Sequence, residues 1–190
     1  VFASLRNGRV DEFLAHPDWC RALPIPLDGE RAVGFKRNFP EEVEATIDRA
    51  EAFLKHRFTF MGIEIEYPET ISWQSDPQSG KLYPDGFYRD IKIFKNDEKT
   101  DIKHVWEINR LQFLIEIAKA WYVTGDERYQ RELDELIADW YQNNPYKRGV
   151  AWTSALEVGV RAFSFLWALN FYLAAPNPNS QTVFCLLYTS

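Results

Sequence analysis

Two stretches constrain the fold of this chain more than any others. They are Trp106-Glu107-Ile108-Asn109-Arg110 and, about forty residues on, Trp152-Thr153-Ser154-Ala155-Leu156-Glu157-Val158-Gly159-Val160-Arg161. Each sets a Trp, a Glu and an Arg in or near the first turns of a long apolar run. A helix that is apolar nearly all round is normally buried. Charged side chains near its start then need partners or a wet cavity.

The segment between the two has another character. Tyr129, Leu133, Leu136, Ile137 and Trp140 make one apolar stripe, and Glu127, Arg128, Arg131, Glu132, Glu135 and Asp139 occupy the rest. That spacing predicts an amphipathic helix. Thr100 or Asp101 can cap the first helix, which reads as continuous to about residue 123. Gly125 closes it, and Asp126 caps the next. Asn143-Asn144-Pro145 ends the second helix, Gly149 lies in a turn, and Thr153 or Ser154 caps a third that runs to about 174. The order buried, amphipathic, buried predicts a mainly α chain. It is the alternation of helical hairpins expected in part of an incomplete α/α toroid or in a solenoid, with a polar cleft at one end.

Upstream the signals are mixed. Residues 1–57 read as an N-terminal arm, with a short helix at 11–16 stopped by Pro17 and an irregular connection marked by Pro24, Pro26, Gly29 and Gly34. Pro40, Glu41 and Glu42 start an amphipathic helix over about 40–56. Within 58–67, Ile63, Ile65 and Tyr67 alternate with Glu64 and Glu66, which predicts a short strand. A long loop through Trp73, Asp76-Pro77 and Pro84-Asp85-Gly86 follows, either a functional loop or a solvated connector. Residues 58–175 form the toroid part, and 176–190 read as a non-native or truncated tail.

Composition excludes several classes of function. Lys and Arg number 22 against 28 Asp and Glu, and the net charge of −6 comes with no basic stripe, so nucleic acid is not the ligand. An acidic polysaccharide stays compatible, because local arginine placement matters more than the total. The longest oily run, 162–175, is too short to span a membrane. Cys20 and Cys185 form no redox or metal-like pair. His16, His56 and His104 lack metal-ligand spacing, and there is no phosphate loop or nucleophile elbow, so no cofactor or metal is predicted. His104, one turn before Glu107, either faces the same cleft or, as scattered histidines more often do, is a surface or capping histidine. Seven Trp, nine Tyr and fourteen Phe serve either as core filling or in part as stacking platforms for sugar rings.

The chemistry-bearing residues fall at the two helix openings. Glu107 and Arg110 are three apart, and Glu157 and Arg161 four apart, so each pair shares a helix face. Each is either a local ion pair or an oriented guanidinium that grips carboxylates or sulfates of a sugar chain. Trp106 reads as core, Trp152 as core or sugar platform, and Asn109 as a ligand contact or a partner for neighbouring backbone. A paired-acid glycosidase would need Glu107 and Glu157 across a cleft, but an Arg beside each suits ion pairing better than a general acid.

These stretches resemble the N-terminal domain of the heparinase II/III family, with its related heparan-sulfate and alginate lyases. The residues carrying the resemblance run through Asp101–Arg110, Ala120–Tyr129, Trp140, Asn144-Pro145, Gly149 and Trp152–Arg161, with Trp73 and Asp76-Pro77 upstream. The resemblance implies an α/α toroid followed by a C-terminal β-sandwich domain, a periplasmic or extracellular setting, and cleavage of uronate-containing polysaccharide by β-elimination. Some relatives accompany cell-surface polysaccharide biosynthesis, which leaves trimming or modification as an alternative role to degradation. Elimination needs a neutralised uronate carboxylate, a Tyr or His base and an acid for the leaving oxygen. In the family the neutralising group is typically an Asn beside a His, and this chain has no Asn-His pair. No catalytic residue is therefore assigned. Glu107, Asn109, Arg110, Trp152, Glu157 and Arg161 are expected to form a substrate-binding wall. The alternative is a catalytically silent carbohydrate-binding or structural helical module.

Overall fold

The computed structural model describes residues 27–93, 101–175, 178–179, 182–183 and 185–186. The short helix expected at 11–16 lies outside them. Among the described residues the chain is mainly helical, with six α-helices, one 3₁₀ turn and a two-stranded antiparallel hairpin.

Helix α1, Gly29–Asn38, stands where the sequence reading placed an irregular connection. Asp28 caps it by accepting the Arg31 N–H at 2.9 Å, with Glu30 in the first turn and Lys36 and Arg37 in the last. Cap and charge complement the helix dipole and outweigh Gly34, whose penalty is only about 1 kcal/mol. Helix α2, Pro40–Phe53, has its proline at the start as expected.

The single strand expected over 58–67 is a hairpin, β1 Arg57–Phe60 and β2 Ile63–Glu66. Met61 and Gly62 both take positive φ, 52° and 80°, as a tight two-residue turn of matching twist requires. Phe60 pairs with Ile63 and Arg57 with Glu66. Phe58 and Phe60 share the inward face, two residues apart.

The helix expected to run unbroken to residue 123 is two helices. Helix α3, Ile102–Asn109, is capped by Asp101, and helix α4 spans Phe113–Thr124. Leu111 lies between them, buried at 1 % exposure with φ +56°. Left-handed backbone costs a non-glycine residue about 1–2 kcal/mol. Burial of the leucine and the polar contacts opened at the break offset that cost. Gly125, at φ 72°, then closes α4, and Asp126 caps helix α5, Glu127–Asn143, through the Arg128 N–H. After a 3₁₀ turn at Val150–Trp152, helix α6 spans Ala155–Ala174.

Helix α4 is the hub, packed by α6, α2 and α5. Leu114, Ile117, Ala118 and Ala120 are fully buried, and the Trp121 ring meets Tyr172 of α6 at 4.7 Å. Burying each of Leu114 and Ile117 contributes about 1.5–3 kcal/mol, and the alanines, with a single methyl, less. Val183 and Leu186 join the same core. Helix α6 is not buried all round, as its composition had implied. Leu156 (68 % exposed), Phe163 (58 %) and Leu166 (41 %) form an open stripe, because α4 covers only the opposite face.

Candidate functional site

The break at Leu111 aims the last side chains of α3 at the start of α6. Arg110 donates through Nε and Nη2 to both carboxylate oxygens of Glu157, at 2.6 and 3.0 Å, and through Nη1 to Glu107. The two-pronged contact with Glu157 is the strong fork-to-carboxylate form. It raises Arg110 further above the ordinary arginine value, with the Glu107 charge adding to it. Exposure differs across the cluster. The Arg110 and Glu107 side chains are 22 % and 18 % exposed, and Glu157 only 3 %.

The pairing of Glu157 with Arg161 within one helix does not form. Arg161 points into the protein, 2 % exposed. It donates to the Asn109 carbonyl at 3.1 Å and to the Ala151 carbonyl at 3.1 Å, and its guanidinium lies between the Trp140 and Trp152 rings at 4.7 and 4.9 Å. Burial lowers its pKa to about 10, against the pull of Glu157, which leaves it charged at neutral pH. The expectation that this guanidinium opens on a cleft is thereby corrected. The carbonyls left without helical partners at the α3 break and in the 3₁₀ turn need a donor, and Arg161 supplies it.

Asn109 is also interior, at 0 % exposure. Its amide nitrogen donates to the Trp73 and Val105 carbonyls at 2.7 and 2.8 Å, and its oxygen accepts the Trp140 indole N–H at 2.9 Å. With every polar atom satisfied inside the protein, Asn109 holds backbone and core instead of ligand. Trp152 is half-buried. Its indole donates to the Asn144 carbonyl at 3.3 Å, and Tyr146 stands edge-on to it at 5.2 Å. Trp106 is half-buried and donates to the Thr153 hydroxyl at 3.2 Å. The six residues thus divide. Glu107, Arg110 and Glu157 form one ion cluster, while Asn109, Arg161 and Trp152 form an adjoining cation–aromatic knot.

The long loop is built into this assembly. Gln74 accepts the Val150 N–H at 3.1 Å and donates to the Asn144 side chain at 2.7 Å. Gly149 sits against it with φ 79° and ψ 175°, a conformation kept for glycine, and a Cβ there would lie 2.7 Å from the Gln74 amide. Asp76, fully buried, accepts from the Ser79 hydroxyl at 2.7 Å and from the Gln78 N–H at 3.1 Å, and pairs with His104 at 3.2 Å. His104 is therefore neither a surface nor a capping residue. It anchors the loop to α3. Burial pushes the Asp76 carboxyl up, but donation from Ser79, Gln78 and His104 outweighs it and holds the group below its ordinary value.

Sequence reasoning missed the Asp76–His104 and Gln74–Asn144 links because each joins residues far apart in the chain. The signals present were Asp76-Pro77 and Gly149, both noted without partners. Trp73, donating to Asp139 at 2.6 Å, belongs to the same set.

Glu107 also borders a cleft of about 680 Å³ between α2, the hairpin and the start of α4, lined in addition by Arg49, Arg57, Phe60, Met61 and Gln112. Among the described residues no group of three His, Cys, Asp or Glu could hold a metal ion, and no helix is long and apolar enough to cross a membrane.

Comparison with known proteins bears on this arrangement. No curated protein and no solved structure matches the chain. The family model described as Heparinase II/III N-terminus matches residues 31–190, which include the ion cluster, the knot and the loop that braces them. The chain therefore belongs to the Heparinase II/III N-terminus family.

Proposed function

We propose that this chain is the substrate-binding part of a polysaccharide lyase acting on uronate-containing polysaccharide by β-elimination, and that it forms part of an α/α toroid. The observation that carries the reading is the Glu107–Arg110–Glu157 cluster. A fork of donors is held in place by a buried carboxylate on one side and by a more exposed one on the other. A sugar carboxylate that displaces Glu107 keeps the guanidinium paired while Glu157 keeps it aimed. Glu107, Arg110 and the half-buried Trp152 form the ligand side. Glu157, Asn109 and Arg161 support them from within. Base and acid for elimination come from residues outside this set.

The test uses the full-length protein carrying this domain, incubated with glucuronate- and mannuronate-containing polysaccharides. Elimination leaves an unsaturated ring that absorbs in the ultraviolet. New reducing ends without that absorbance mean hydrolysis. Binding without either product means a silent carbohydrate-binding module, a reading favoured by how completely Asn109 and Arg161 are used inside the protein. No binding at all overturns the proposal.

A further inference from the structure

The cleft bordered by Glu107 has a composition of its own. Its walls carry Arg49 and Arg57 together with Glu107 and Glu116, so these charges cancel. Arg49 is paired with Glu116 at 2.9 Å and with Glu42 at 3.2 Å, and Arg57 with Glu66 at 3.1 Å. Neither guanidinium offers an unshared charge to an anion. Glu107 gives one oxygen to Arg110, and its other oxygen accepts no hydrogen bond among the described residues. Gln112, exposed at the start of α4, makes no side-chain capping bond.

The apolar wall is pre-set. Phe60 stacks on Phe58 at 5.6 Å, Phe58 on Phe53 at 5.6 Å, and Phe113 stands edge-on to Phe58 at 4.9 Å. This packed set holds the half-buried Phe60 ring at the edge of the cleft. A fixed ring beside a carboxylate oxygen and a primary amide suits a pyranose, which has an apolar face and a rim of hydroxyls. The space, about 680 Å³, falls in the usual range for small-ligand sites.

We infer that this cleft is a subsite for an uncharged, hydroxyl-rich pyranose, the neighbour in the chain of the uronate that Arg110 receives. The inference rests on the proposed function and adds the chemistry of the next sugar. Phe60 supplies the stacking face. Glu107 and Gln112 take the hydroxyls, and Glu107 links the two positions because the carboxylate that the uronate displaces from Arg110 borders the cleft.

The full-length protein is titrated, by amide NMR, with the methyl glycosides of glucose, galactose and mannose and with the three corresponding uronates. These pairs differ only in a hydroxymethyl group against a carboxylate. At least one neutral glycoside should shift the amides of Phe60, Met61 and Gln112, while its uronate leaves them within a fifth of that shift. Gln112→Ala, at an exposed position, should weaken that glycoside at least fivefold. Phe60→Leu, which keeps an apolar side chain, should weaken it further. If no neutral glycoside moves these amides, or if the uronates move them equally, the inference fails. Ultraviolet-absorbing products from polysaccharide would still be seen in that case, so its failure is distinct from failure of the lyase reading.

Discussion

Arg161, in the second turn of α6, donates to the main-chain carbonyl of Asn109, the residue at which α3 ends, and so closes the gap left by the helix break at Leu111. One guanidinium joins two helices and a 3₁₀ turn while filling the space between two indoles.

Removing that guanidinium should unfold the protein more readily. Arg161→Met leaves two buried carbonyls without a donor, each costing about 1–3 kcal/mol, so a loss of about 2–6 kcal/mol is expected. Arg161→Lys should recover less than half of it, because a point charge neither stacks between rings nor spans two acceptors. Urea midpoints at constant m-value check both.

Asn109→Leu should cost about 2–4 kcal/mol, because the Trp73 carbonyl and the Trp140 indole lose their partner inside the core. Trp140→Phe on that background should cost less than on the wild type. A double-mutant cycle with no coupling would contradict the shared bond.

Gly149→Ala meets both a forbidden backbone region and the Gln74 amide, so a cost of about 2–4 kcal/mol is expected. Adding Gln74→Ala should relieve the contact but also removes the Val150 and Asn144 hydrogen bonds, a cost read from Gln74→Ala alone, so what remains is the backbone penalty. Thermal unfolding of the single and double variants separates the two parts.

The buried Asp76 makes stability depend on acid. Its folded-state pKa is depressed below the ordinary carboxylate value of 3.8, so the stability it contributes is present above that value and lost as pH falls through the lower folded pKa. Asp76→Asn should be less stable at neutral pH and should lose less on going below about pH 4. Stability curves for both proteins between pH 2 and 6 decide the matter; parallel curves would sink it.

Arg110→Ala should weaken uronate binding and also destabilise, since Glu157 is left buried and unpaired. Arg110→Ala with Glu157→Gln removes the stranded charge and should recover most of the stability without recovering binding. Calorimetric affinity beside thermal midpoints reads the difference. If affinity returns together with stability, Arg110 is structural only.

Much of the helical layout was legible because its signals are local. Asp101, Gly125 and Asp126 act at the ends of helices by bonding backbone within a turn, and the stripe on α5 repeats with the helix period. Helix α1 was missed because Gly29 and Gly34 read as breakers and the capping carboxylate of Asp28 was not considered. The break at Leu111 was missed because nothing in Arg110-Leu111-Gln112 disfavours a helix. Its reason lies in Glu157 and Arg161, some fifty residues away.

By itself the sequence determined a mainly helical chain, with charged and aromatic residues concentrated in two short stretches, since capping, period and burial preference act over a few residues. The tertiary structure alone decided which charge meets which. Arg110 reached Glu157 and Arg161 turned inward because buried carbonyls and carboxylates must each find a donor, and the nearest donors in space are not the nearest in the chain.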